Sequence, residues 1–201
     1  MPRTKEAFES MRQTTREKIE TAALSLFARK GLAVKVGEIA EAAGVSQGLM
    51  YSHYSSKDAL IIELVRQATT ISSKTIMDFS ESDGTAAWKV NNISCMMCRM
   101  LADAPIGIDY FMFMMQVGMS DFKVPEASWY SAELPNPVEN LAQVIAQGQA
   151  EGSVVQGEPL QLAVAYWAAI QGLCCYAITG IPVSTDPKML NRILLYEEDF
   201  S

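Results

Sequence analysis

Between residues 47 and 53 the chain reads Gln-Gly-Leu-Met-Tyr-Ser-His, and the short helix predicted there offers Gln47, Gly48, Leu49, Tyr51, Ser52 and His53 on its outer side. Amide, hydroxyl, phenol and imidazole groups on so short a surface are hydrogen-bonding chemistry without an obvious nucleophile. A DNA major groove admits one helix of that size. A second constellation is Cys95-Met-Met-Cys98, two thiols at the spacing of metal and redox motifs. A structural zinc site would need two more ligands. Cys174 and Cys175 are distant in sequence, and the only histidine is His53. No βαβ pattern surrounds the pair, so the thiols read as small apolar core residues. No Gly-rich phosphate loop, Ser/His/Asp order or carboxylate pair stands out. Neither an enzyme, nor a cofactor, nor a bound metal is expected.

The elements that must hold the first constellation are helical. Ile19, Ala22, Ala23, Leu26 and Phe27 form one apolar stripe, which predicts a helix from about Thr15 to Lys30, with Thr14 and Glu17 as its capping box and Gly31 as its stop. Val36, Ile39, Ala40 and Ala43 repeat the pattern on a short helix ended by Gly44. Ser46 can cap the helix from Gln47 to His53. Two short helices separated by Gly44-Val45-Ser46 have the build of a helix-turn-helix. Gly44 supplies the backbone freedom the turn needs, and Ile39, Ala40, Val45 and Met50 are spaced to pack the pair together. Ser55 and Asp58 suggest another capping box, opening a long helix from Ser56 towards Asp78. Helical periodicity continues over about 85–103, 106–119, 136–151, 158–180 and 186–197, with prolines at the breaks and no strand-like alternation. The chain is predicted to be all-α, in two domains, 1–60 and 61–201.

At residues 39–60 the pattern becomes specific. Ile39, Ala40, Ala43, Gly44, Val45, Ser46, Gly48, Tyr51, His53, Tyr54, Lys57 and Leu60 fall in one register that resembles the TetR family of bacterial transcriptional regulators. The resemblance covers about a quarter of the chain. It implies a DNA-binding N-terminal domain and a helical C-terminal domain ending in two dimer-forming helices. Tyr51, His53 and Lys57 match positions that touch backbone phosphates, and each carries a suitable donor. Lys57 adds its charge to the positive end of a helix. Gln47 is the candidate for a base edge, because its amide can pair twice with adenine. Gly48 permits close approach, Leu49 can meet a thymine methyl, and Ser52 can reach a base or a phosphate. The chain departs from the family pattern in three places. Lys35 stands where a Ser or Thr cap is usual and can reach a phosphate instead. Gln47 stands where Lys or Arg is frequent, and Tyr54 replaces the usual Phe. Arg3, Lys5 and Arg12 suggest an N-terminal arm near the duplex.

The C-terminal half is chemically quieter. Tyr110 to Met119 reads YFMFMMQVGM, and Met96, Met97 and Met100 lie one predicted helix earlier. A helix apolar on all sides belongs in an interior, and methionines suit an adaptable pocket. With the resemblance, this suggests a cavity for a small, largely apolar effector. Trp88, Met97, Met100, Phe111, Met115, Trp129 and Tyr130 are its candidate walls, and Gln116 its candidate polar group. Ala165, Ala168, Ala169, Gly172 and Tyr176 give the 158–180 helix a small-residue face suited to close packing across a twofold axis. A homodimer of this kind would read a palindromic operator.

Composition first argues the other way. Among 201 residues the net charge is −7, which should repel nucleic acid. The average hides a split: residues 1–60 carry a net +2 and residues 61–201 a net −9. A hydrophobic fraction of 49% excludes a disordered chain. No secretory signal opens the sequence, and Leu162 to Val183 is broken by Gln171, Gly172 and Gly180. A cytoplasmic protein with no membrane partner is expected. The sequence therefore points to a DNA-binding regulator, more in keeping with a repressor, that an effector releases from a double-stranded operator. The alternative is a thiol redox or metal-responsive DNA-binding sensor using Cys95 and Cys98.

Overall fold

A computed structural model describes residues 5–103, 105–125 and 136–196 of the chain. Helices account for nearly all of them: α1 (Lys5–Lys30), α2 (Val36–Ala43), α3 (Gln47–His53), α4 (Lys57–Ser80), α5 (Ala86–Asp103), α6 (Pro105–Met119), α7 (Pro137–Glu151), α8 (Pro159–Ile178) and α9 (Pro187–Asn191). Among the described residues no strand forms; a single isolated bridge joins Val154 to Leu195. The all-α prediction holds, with an N-terminal helix-turn-helix and a helical C-terminal domain.

The helix ends follow local chemistry. Ser46 and Ser56 cap α3 and α4, each hydroxyl accepting a backbone N–H three residues on, from Leu49 at 3.1 Å and Ala59 at 3.0 Å. Pro137, Pro159 and Pro187 occupy first turns, where a missing N–H costs nothing, behind caps from Asn136, Glu158 and Asp186. Three expectations fail at helix boundaries. Helix α1 begins at Lys5, so Thr14 lies inside it and its hydroxyl donates to the Ser10 carbonyl rather than capping. Nothing in Glu6–Gln13 breaks a helix, and pairs such as Gln13–Glu17 and Arg16–Glu20 support it along its surface. Lys5 and Arg12 therefore belong to α1 rather than to a separate arm, while Arg3 lies outside the described residues. Ser56, not Ser55, caps α4. Helix α9 ends at Asn191, because the next residues turn so that Leu194 can accept the Val155 N–H at 2.8 Å.

Two apolar cores result. The first gathers Ile19, Leu24 and Phe27 of α1, Ile39 and Ala40 of α2, Met50 of α3 and Leu60, Ile61, Leu64 and Val65 of α4. Phe113 and Val117 of α6 complete it, with Phe113 stacked on Phe27 at 5.9 Å between ring centroids. Burying two such rings supplies several kcal/mol, on the order of 1.5–3 each. The second core collects α5, α7, α8 and the residues around α9. Helices α4 and α6 serve both, so the helix-turn-helix rests directly on the C-terminal domain.

Candidate DNA interface and effector cavity

The outer face of α3 is open. Gln47, Gly48, Leu49, Tyr51 and Ser52 are exposed while Met50 is buried beneath them. Gly44 takes the left-handed conformation the turn requires (φ 66°), and its N–H and that of Val45 bond back to Glu41 and Ala40. Against α2, the Gln47 carboxamide occupies space that Gly37 leaves free: a β-carbon there would sit 3.0 Å from Gln47 Nε2. Ser52 donates to the Leu49 carbonyl at 2.7 Å, which leaves its oxygen free to accept. His53 is half-buried, sharing a polar depression with Glu9, Arg12, Gln13 and Arg16 of α1. Burial first, then the positive charges of Arg12 and Arg16, push its imidazole below the ordinary value and favour the neutral ring.

The two lysines differ. Lys35 is exposed at the start of α2, where its backbone N–H donates to the Glu38 carboxylate at 3.0 Å. That bond, with the Lys30 ammonium beside it, holds Glu38 below the usual carboxylate range. The Lys35 side chain extends without a cap bond, as expected of a residue that cannot cap. Lys57 is engaged: its ammonium donates to the carbonyls of Leu32 at 2.7 Å and Val34 at 3.2 Å, tying the α1–α2 connection to the start of α4. A phosphate would compete with two carbonyls for it. Tyr54 exploits the hydroxyl that Phe lacks. It donates to the Glu20 carboxylate, while the Arg16 guanidinium lies 5.7 Å above its ring. Burial is the main cause holding this phenol protonated.

A cavity of about 590 Å³ lies between α4, α5, α6, α7 and α8. Met97, Met100, Phe111 and Met115 line it, as the sequence suggests. Trp88 does not: it is exposed at the far end of α5, against Phe79 and Gly84. Gln116 faces the other way, with its side-chain oxygen 3.3 Å from where a β-carbon of Gly31 would lie, because the helical turn carries it towards α1. Trp129 and Tyr130 lie outside the described residues. Sequence reading missed Ile71 and Ile76 of α4, Tyr110 of α6, and Trp167 and Gln171 of α8. Trp167 and Gln171 are one turn apart on a helix that reads as uniformly apolar, so only the tertiary contacts separate its cavity side from its core side.

Tyr110 has a further connection. Its hydroxyl donates to Gln67 at 2.9 Å, Gln67 donates to Glu63 at 3.1 Å, and Glu63 pairs with Arg16 at 2.8 Å. Arg16 pairs in turn with Glu20, the acceptor of Tyr54. A continuous polar chain thus runs from the cavity wall into the helix-turn-helix.

The thiols show no assembled site. Cys98 and Cys174 are buried, Cys95 and Cys175 half-buried, all free. Burial pushes Cys98 up, and Cys174 up to about 12, which suppresses the reactive thiolate. Among the described residues no group of three or more His, Cys, Asp or Glu could hold a metal. On α8, Leu160, Val164, Ala165, Ala168 and Tyr176 are exposed and Ala169 and Gly172 half-buried, opposite the buried face of Ala163, Tyr166, Ile170 and Cys174. This helix is long and apolar enough to cross a membrane, a property it shares with core helices of soluble proteins.

Residues 19–64 match the profile of the bacterial regulatory proteins of the tetR family. Among solved structures, a TetR-family transcriptional regulator from Agrobacterium tumefaciens is 19% identical with a TM-score of 0.68, covering 90% of this chain and 98% of that one. The MbdR regulator from Azoarcus sp. CIB is 21% identical with a TM-score of 0.66, covering 89% and 96%. A gamma-butyrolactone receptor (ArpA-like protein) is 19% identical with a TM-score of 0.64, covering 91% and 95%. The chain has the TetR-like fold, and its N-terminal domain is that of a TetR-family transcription regulator.

Proposed function

We propose that this chain, which carries the fold and N-terminal domain of the TetR-family transcription regulators, is a cytoplasmic homodimeric repressor. It binds a palindromic double-stranded operator and leaves it when a small, largely apolar effector fills the C-terminal cavity. The observation that carries this reading is the double duty of α4 and α6. On α6, Phe113 and Val117 complete the N-terminal core while Tyr110, Phe111, Met114 and Met115 line the cavity. On α4, Leu60 to Val65 belong to that core while Ala68, Ile71 and Ile76 line the cavity. An occupant that displaces either helix must move the helix-turn-helix with it, because packed interiors shift as units. The polar chain from Tyr110 through Gln67 and Glu63 to Arg16 runs alongside this apolar path.

The reading face of each protomer is α3, with Gln47, Gly48, Leu49 and Ser52 towards base edges and Tyr51, His53 and Lys35 towards phosphates. Dimerisation uses the exposed face of α8, where Leu160, Val164, Ala168, Gly172 and Tyr176 recur every fourth residue. One structural neighbour is described as a gamma-butyrolactone receptor, which supports a small-molecule effector. The coupling is tested by titrating bound DNA with compounds that bind the protein. A ligand that occupies the cavity should lower DNA affinity; if every ligand that binds leaves it unchanged, the coupling is refuted.

A further inference from the structure

We infer that the cavity selects an uncharged ligand carrying a hydrogen-bond acceptor, such as an ester, lactone or ketone, and that the indole N–H of Trp167 donates to it. This inference rests on the reading of the cavity as an effector site and adds the chemistry of the occupant. Its wall is methionine, aromatic and aliphatic carbon, with polar groups from Ser72, Tyr110, Asn136 and Gln171 only. Among the described residues no Lys, Arg, His, Asp or Glu contributes to the wall. Residues 126–135, outside the description, contain no Lys, Arg or His either. A carboxylate entering such a space would be stripped of water with no cation to receive it, and a buried unpaired charge is strongly disfavoured.

The polar groups of the wall are unequally free. Tyr110 spends its proton on Gln67, and Asn136 Oδ1 is the cap of α7. Trp167 is 9% exposed, and its Nε1 is buried with no hydrogen-bond partner. The three other buried side-chain atoms left without partners belong to Asp109, Asn140 and Asn191, none of which lines the cavity. An unmet indole N–H costs about 1–3 kcal/mol of desolvation, and an acceptor in the neighbouring space would recover much of it. The Trp167 ring is fixed by its stack on Phe111 (centroids 6.1 Å apart, planes at 27°) and by the edge of Tyr166. Tyr166 is unavailable to a ligand, since its hydroxyl bonds Ser94 at 2.8 Å. Gln171, one turn further along α8, supplies an amide to the same wall.

Three matched probes test this on the full-length protein: propyl benzoate, its isomer 4-propylbenzoate, and pentylbenzene, which lacks an acceptor. Affinities are read by displacement of Nile red. Propyl benzoate should bind at least about tenfold more tightly than the carboxylate isomer. It should also bind about 3- to 10-fold more tightly than pentylbenzene, and Trp167→Phe should abolish that second preference only. A downfield shift of the Trp167 indole N–H resonance with propyl benzoate, absent with pentylbenzene, gives the same answer without a variant. Equal or tighter binding of 4-propylbenzoate overturns the charge selection. An indole resonance that ignores the acceptor, or a folded Trp167→Phe that keeps the ester preference, overturns the donor. If Nile red and all three probes fail to bind the folded protein, the effector reading falls with the inference. If they bind in the wrong order, only the inference falls.

Discussion

Lys57 shows how a side chain of the right type can sit at the right position for a different task. Its charge and its place at the start of α4 suit a phosphate, yet the ammonium is spent on the Leu32 and Val34 carbonyls. Lys35 has no such partner and is open to solvent. The two roles separate in the salt dependence of DNA binding. Lys35→Met should lower affinity and reduce the slope of log K against log salt by about one, as for a lost phosphate contact. Lys57→Met should lower protein stability by about 1–3 kcal/mol and leave that slope unchanged. The measurements are anisotropy titrations across salt and urea denaturation; equal slopes for the two variants would contradict the assignment. Glu63 offers a pH test. Hydrogen bonds from Arg66 first, then Gln67, with the charges of Arg66 and Arg16, hold its carboxylate below the ordinary 4.5. A depressed folded-state value means that the unfolded chain takes up the proton more readily. The stability advantage of the wild type over Glu63→Gln should therefore be full above about pH 4.5 and shrink as pH falls below it, measured by denaturation at each pH.

At the level of elements, α6 carries most of the argument. Its sequence, apolar on every side, correctly announced an interior helix and a methionine-lined cavity. It could not show which flank meets α1 and which meets the cavity, because periodicity carries no information when all faces are apolar. That is why Gln116 was assigned to the cavity when it abuts Gly31, and why Tyr110 was missed. The helix-turn-helix was legible in detail for the opposite reason: Gly44, Ser46 and Ser56 each have a backbone duty that few residues perform. The start of α1 was misplaced because Thr14 and Glu17 satisfy a capping pattern that a continuing helix simply overrides. Tyr110 also gives the element-scale prediction. Tyr110→Phe keeps the ring in the wall but cuts the link to Gln67. The effect of a bound ligand on DNA affinity should fall by about tenfold, while binding of Nile red changes by less than about twofold. An unchanged ligand effect would assign the coupling to the apolar contacts of α4 and α6 alone.

For the whole molecule, the net charge of −7 is the sum of a slightly basic N-terminal part and an acidic body. Few cations are available to hold phosphates, so affinity must depend on placed residues and on two copies acting together. The pairing face is expected on α8, where Val164 and Tyr176 are about half exposed amid small residues. Ala168→Glu should place like charges against each other across a twofold axis and shift sedimentation from dimer to monomer, with DNA affinity falling by more than about tenfold. A variant that stays dimeric would move the interface elsewhere. The central claim, a dimer reading DNA through α3, is tested most directly by selecting bound duplexes from a random pool with the full-length protein. The account predicts enrichment of a palindrome whose half-sites are spaced by about one helical turn or a multiple of it, and a changed half-site when Gln47→Ala is used. A pool that remains random, or an enriched site without twofold symmetry that Gln47→Ala leaves unchanged, would contradict it.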